Sequence, residues 1–323
     1  MNRHISFSFN TLRFPLAILV VFIHSVGDRN APYHLFREFF SHNICKFAVP
    51  VFFIISGYLF FQKFEARFSF KIYKAKLYSR IYTLLLPYIF WNIITLILDY
   101  IKYIQTGSSW IPYNSASIID IISLTLWSNE IGYPINLPLW YIRELILLCV
   151  FSPITILFLT KKIIGKLFIL ILLIVYFTNP EPQIHLTGLL YFTIGAYFSI
   201  NNINIISNRI IIPSSIAILS IIIYQIYSIP VLLNLYIFIM CFVAISIASK
   251  NTLFTRFLNS LNKYSTIIYF SHYPISLILA IKIINILHIN NSLLTYLITP
   301  FIAAIISIII LKIYQTIKRH AFK

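Results

Sequence analysis

A chain of 323 residues in which 59% are hydrophobic and only 10% charged, with a mean hydropathy of +0.87, is too apolar for a soluble protein of that size. A net charge of +17 would suit nucleic acid only with the basic residues clustered on one folded face among exposed aromatic or base-reading groups, and here they fall between apolar segments, so no nucleic-acid partner is expected. Cys45, Cys149 and Cys241 are odd in number, far apart and mostly within apolar runs, which excludes a disulfide framework or a metal site and leaves them as core thiols.

Ten apolar segments follow one another, near residues 12–27, 43–62, 81–102, 139–159, 165–178, 184–200, 209–228, 231–248, 264–287 and 293–314. Several are shorter than the roughly 20 residues a helix needs to cross a 30 Å hydrocarbon core, so tilt or local thinning is required. With the amino terminus inside, the cytoplasmic connections hold 18 of the 25 lysines and arginines and the outer ones only Arg29, Arg37, Lys46 and Lys102. That asymmetry is a positive-inside signal, and an even span count returns the carboxyl terminus to the cytoplasm. The expected fold is an all-α, polytopic membrane bundle of about ten helices, one membrane domain over residues 1–323 with no soluble carboxyl-terminal domain, surrounded by membrane lipids.

The first segment, Leu12 to Asp28, reads LRFPLAILVVFIHSVGD. At about 100° and 1.5 Å per residue, Arg13 and His24 leave one helix face about 16 Å apart. Facing lipid, either would cost several kcal/mol, so both are expected to point into protein or a wet cavity. Arg3, the run Phe14 to Ile23 and the small Ser25 and Gly27 resemble a signal peptide, but Arg13 and His24 bound that run and the later segments already demand an inner start. An imidazole, ordinarily titrating near neutrality, is the best single side chain for removing a hydroxyl proton during attack, which makes His24 a general-base candidate. Asp28, four residues on, orients that imidazole if the helix continues past Gly27.

The second segment contains AVPVFFIISGYLFF, whose Ser56-Gly57 pair admits a neighbouring helix or a ligand, helix packing being the simpler reading. Ser56 and Tyr58 here, and Tyr141 further on, are polar groups in apolar surroundings and so candidates for a site as well as for packing. The linker from Lys63 to Arg80 is the most basic stretch, fit either for anionic lipid at the inner leaflet or for the phosphates of a cytosolic donor.

Residues 103–138 form the one long outer connection, punctuated by Gly107, Pro112, Pro134 and Pro138. Within it Ser117 to Trp127 patterns as an amphipathic helix, either anchoring on the membrane or covering an acceptor site. The fourth segment opens LPLWYIRELILL, where Trp140 and Tyr141 suit an interface and Arg143-Glu144 is either a structural ion pair or part of a site. In the ninth, KYSTIIYFSHYPI, Pro274 removes a backbone hydrogen bond and predicts a kink, with Ser271 placed to satisfy the freed carbonyl. His272 beside it is a secondary candidate, since a lone buried histidine is more often structural.

Together these stretches resemble the membrane acyltransferase 3 family. Its first-span spacing of arginine, ten residues and histidine is matched by Arg13 and His24. The match continues through VPVFFIISGYLFF, SRIYTLLLPYIFWN from Ser79, INLPLWYIRELILLCVFSPI from Ile135, YFTIGAYFSI from Tyr191 and TIIYFSHYPI from Thr266, over nearly the whole chain. The resemblance implies transfer of an acyl group, most often acetyl, from cytosolic acyl-CoA, with acetyl-CoA the expected donor and no metal, to a hydroxyl of an envelope polysaccharide or lipid-linked oligosaccharide. It maps the family's essential histidine to His24 and its arginine to Arg13. The family's basic pair before the third span is half present, as Arg80 followed by Thr83, with Lys76 one turn earlier to supply charge at the coenzyme contact.

Two other classes fit parts of the sequence. A polysaccharide or lipid-linked sugar exporter would share the ten spans and buried charges without needing His24 as a proton acceptor. An intramembrane serine protease built on Ser56 and His272 lacks the small residue expected before a strained nucleophile.

Overall fold

A computed structural model describes residues 3–25, 33–62, 64, 68–127, 132–180, 183–289 and 291–321, and among these every regular element is helical. In chain order the helices are α1 (Arg3–His24), α2 (His34–His42), α3 (Ala48–Phe61), α4 (Phe70–Arg80), α5 (Leu86–Thr106), α6 (Ile118–Leu126), α7 (Trp140–Val150), α8 (Ser152–Leu159), α9 (Lys162–Thr178), α10 (Ile184–Ile200), α11 (Ile211–Tyr227), α12 (Pro230–Ala248), α13 (Leu253–Ser271), α14 (Leu277–Ile286) and α15 (Ser292–Ala321). Each of the ten apolar segments falls on one of these helices or on a bent pair.

Six helical runs among the described residues are long and apolar enough to cross a membrane, and α7 with α8, bent by 63°, makes a seventh if taken as one span. The expected ten are therefore not reached by length alone. Helices α9, α10 and α11 have 17 residues each, about 25 Å of helix, a few Å short of a typical hydrocarbon core. Apolar patterning marks such helices, but it does not distinguish a short span from a packed interior helix.

Helix α1 lies between two apolar clusters. Ile5, Phe9, Leu12, Leu16 and Val20, at helical i, i+3/i+4 spacing, join the larger cluster with α3, α7, α10 and α12. Ala17, Ile18, Val21 and Phe22, a quarter-turn away, join a second cluster with α13, α14 and α15. A helix apolar on two sides is buried by packing partners on both, and α13 is its most extensive neighbour.

The most extensive helix pairing among the described residues is α3 on α10. A Cβ added to Gly57 would sit 2.1 Å from the Phe192 carbonyl oxygen, and one on Gly195 would sit 2.1 Å from that of Ile54. The packing reading of the Ser56-Gly57 pair is thus the geometric one for Gly57, whose missing side chain lets two backbones touch.

The long connection is ordered by its own chemistry. Gly107, at φ +70°, ends α5 in the left-handed conformation and its N–H caps on Tyr103. Buried Asp99 then accepts from the Trp110 N–H at 3.0 Å and the Tyr113 hydroxyl at 3.1 Å. Burial, with Asp99 beside it, pushes the Tyr113 phenol up. The helix expected between Ser117 and Trp127 is α6, started by a reciprocal Ser117–Asp120 capping box. The Ser117 hydrogen bonds hold the Asp120 carboxyl below its usual range.

The ninth segment is kinked as Pro274 predicts: Tyr273 adopts an extended conformation (φ −115°, ψ 136°) between α13 and α14. Ser271, however, does not serve the carbonyl freed by Pro274. Its hydroxyl donates one turn back to the Ile267 carbonyl at 2.8 Å, a local bond that serine makes readily inside helices. The carbonyl of Tyr273, next to Pro274 at the break, accepts from Asn136 Nδ2 at 2.9 Å, from the connection before α7.

Candidate functional site

His24 is the last residue of α1, and its partly buried ring faces a cavity of about 650 Å³. The far walls carry Tyr133, Trp140, Tyr176, Tyr224 and Tyr269, while His42, Lys46 and Asn234 add polar groups. A large aromatic-walled cavity with few polar contacts is the usual form of a small-molecule or saccharide site.

Behind His24 stands His272, with ring centroids 5.5 Å apart. The His272 side chain is fully buried. Its Nδ1 donates to the Tyr269 carbonyl at 2.7 Å, with the Ile268 carbonyl at 3.2 Å. Its Nε2 has no partner among the described residues. The Tyr273 ring closes the other side of His24, at 6.0 Å.

From these imidazoles a column of rings runs back along α1. Tyr269 lies 5.9 Å from His272 and 5.6 Å from Tyr141. Tyr269 is fixed by donating to the Pro138 carbonyl at 2.5 Å. The Tyr141 hydroxyl hydrogen-bonds Ser56 Oγ at 2.9 Å and donates to the Phe52 carbonyl at 3.3 Å. Ser56 is therefore engaged with a phenol, not with His272, and the pair a serine protease would need is not assembled. Tyr58, on the same helix, packs its ring edge-on to Phe9 at 5.3 Å.

At the far end of the column the basic side chains gather. Arg13, half-buried, lies within electrostatic reach of Tyr141 and Arg80. Arg80 sits 5.9 Å from the Phe60 ring and within electrostatic reach of Cys149. Lys76 lies 5.5 Å from the same ring and donates to the Leu59 carbonyl at 3.2 Å. Thr83 is exposed and donates its hydroxyl back to the Ser79 carbonyl at 3.0 Å. Three cations from α1 and α4 thus converge, and among the described residues no carboxylate forms a salt bridge with Arg13 or Arg80. That donor set suits a phosphate-bearing ligand.

Arg143 and Glu144 stand apart from both groups. The guanidinium holds Glu144 Oε1 at 2.9 Å and donates to the carbonyls of Trp127 and Gly132 (the latter at 3.1 Å), while Glu144 Oε2 receives His185 Nδ1 at 2.6 Å. Both members are about 95% buried, so the pair anchors the connection before α7 to the bundle. Trp140, by contrast, does line the His24 cavity. Asp28 lies outside the described residues.

Sequence reasoning did not single out Tyr269, Asn136, Asp99 or His185. Each is an ordinary polar residue in its local stretch, and its role comes from partners far away in the chain. The three cysteines are free and buried, as expected of core thiols.

A family model for the acyltransferase domain matches residues 7–312. The chain is also similar to the succinoglycan biosynthesis protein ExoH of Rhizobium meliloti (strain 1021), at 26% identity over 223 residues, covering 64% of this chain and 57% of the relative. It therefore spans a little over half the length of that curated relative. No solved structure matches it.

Proposed function

Because the chain belongs to the acyltransferase domain family, we propose that it transfers an acyl group, most often acetyl, from cytosolic acyl-CoA across the membrane to a hydroxyl of an envelope polysaccharide or lipid-linked glycan. The observation that carries this reading is the placement of His24 at one end of a ring column and of Arg13, Arg80 and Lys76 at the other. Donor phosphates would be held by the three cations and an acceptor by the aromatic cavity, about 16 Å apart along α1. The pantetheine arm of the donor spans that interval. A glycan acceptor is supported by the aromatic walls, on which sugar C–H faces stack, and by the relative named for succinoglycan biosynthesis.

The cation cluster faces the cytoplasm and the cavity faces outward in this reading, consistent with the lysine and arginine asymmetry. The ten-span topology goes with it, α9, α10 and α11 crossing in locally thinned bilayer.

His24 takes the proton of the acceptor hydroxyl as that oxygen bonds the acyl carbon, and returns it to the departing thiolate, so that an ester and a thiol replace an alcohol and a thioester. Arg13 holds the donor at the inner end. Tyr141, held by Ser56 and the Phe52 carbonyl, fixes the ring column beside Arg13. The inner end is thus built to hold and the outer end to react.

The test is glycan mass spectrometry of envelope material with and without the gene. The reading expects one acyl mass lost from a glycan when the gene is deleted; identical spectra at full expression of the parent contradict it.

A further inference from the structure

Two facts about His272 are unaccounted for by packing. Its Nδ1 faces the Tyr269 carbonyl at 2.7 Å, and a carbonyl only accepts, so Nδ1 carries a proton. In the neutral ring Nε2 is then a bare acceptor, and it is fully buried without a partner among the described residues. A buried acceptor left unmet is costly enough that such groups are rare. Nδ1 is turned to its own helix, so Nε2, across the ring, points away from α13, and the ring packed against His272 from α1 is His24.

The separation is close to bonding distance. A linear N–H···N bond of about 2.9 Å between two imidazoles puts their centroids roughly 5.2 Å apart, and the observed 5.5 Å exceeds that by an amount a small side-chain rotation removes. Such a bond would place the His24 proton on the nitrogen facing His272. The other His24 nitrogen would then be bare and turned to the cavity.

The geometry points to His272 as the positioning residue for His24: its Nε2 accepts the His24 N–H and fixes the tautomer in which His24 presents a free base to the acceptor hydroxyl. This rests on His24 acting as the base proposed above. A base oriented by a third group through its other nitrogen is a general requirement of imidazole catalysis. The sequence offers that place to Asp28; His272 fills it from the far end of the chain.

Two isosteres separate positioning from plain structure. His272→Asn keeps an amide donor where Nδ1 meets Tyr269 and deletes Nε2. His272→Gln reaches the Nε2 position with an amide oxygen. In proteoliposomes given labelled acetyl-CoA and acceptor glycan, His272→Asn is expected to lose about tenfold or more in kcat with both KM values held within about twofold, and His272→Gln to retain most of kcat. The second readout needs no turnover: the rate at which diethyl pyrocarbonate modifies His24, followed by peptide mass spectrometry, changes severalfold in His272→Asn and stays near parental in His272→Gln. Parental kcat and parental His24 reactivity in a monodisperse His272→Asn protein overturn the proposal, as does a loss confined to KM or an equal loss in both variants. A reactivity shift in a parent protein that transfers no label leaves the histidine pair standing and removes the acyl-transfer reading instead.

Discussion

The rings of His24 and His272 meet at 5.5 Å, although one ends the first helix and the other begins the break between α13 and α14. The break itself is pinned from a third direction, by Asn136 on the Tyr273 carbonyl. The His24 end of the cavity is therefore assembled from three distant parts of the chain.

The α3–α10 crossing should tolerate no added carbon. A methyl at Gly57 or Gly195 would approach a backbone oxygen to 2.1 Å, and backbone cannot swing aside as a side chain does. Gly195→Ala is expected to destabilise the bundle by about 1–3 kcal/mol or more, read as a lower Tm in detergent and reduced yield of monodisperse protein. A parental Tm would show that the helices separate readily there.

Arg80 should affect donor binding more than turnover. Arg80→Ala removes one of three converging cations, and losing a charge-assisted bond to a phosphate is worth about tenfold or more in acyl-CoA KM. Acceptor KM should stay unchanged. The donor KM of the parent should rise with salt, as expected for partly exposed charges, and the Ala variant should show a shallower dependence. Unchanged donor KM would place the coenzyme elsewhere.

Breaking the Arg143–Glu144 pair should cost stability rather than chemistry. Glu144→Ala strands a buried guanidinium, a loss of about 3–5 kcal/mol. Replacing both, as Arg143→Met with Glu144→Leu, should recover much of it. Thermal unfolding of the two variants measures the difference, and equal Tm values would mean the pair is not coupled.

Asp120 gives a pH-dependent signature at the start of α6. Its carboxyl is held low by the Ser117 hydrogen bonds, so the contribution of the capping box is present above the ordinary carboxylate pKa and is lost as pH falls through the lowered folded value. Protection of α6 amides, normalised for intrinsic exchange, should drop at acid pH in the parent and be low at every pH in Ser117→Ala. Identical profiles in the two proteins would remove the box as the cause.

Much of this was legible in the chain. Helical periodicity carried Arg13 and His24 to one face of α1, Ser56-Gly57 announced a close approach, Pro274 announced the kink and the Ser117 to Trp127 pattern announced α6. Each of those is a local property. What was not legible depends on which stretches meet. Nothing around His272 tells of His24, nothing around Glu144 tells of His185, and Asp99 reads as a stray charge in a span until Trp110 and Tyr113 fold back on it. Ser271 looked like the group that repairs the kink, but its hydroxyl turns back to the Ile267 carbonyl, and the contact that pins the break, Asn136 on the Tyr273 carbonyl, is a tertiary one. The span count was not legible for a related reason: 17 apolar residues are marginal for crossing, and only packing or the bilayer decides.

The most direct measurement is transfer of labelled acetyl from acetyl-CoA to glycan by purified protein in proteoliposomes, parent against His24→Gln. The variant keeps the size and polarity of the side chain but cannot take a proton. The account predicts that it inserts and purifies like the parent and loses transfer by about 10²–10⁴-fold. Parental transfer by a properly inserted His24→Gln protein would contradict it, and glycan movement across the membrane undiminished in that variant, with no label transferred by the parent, would mark an exporter instead.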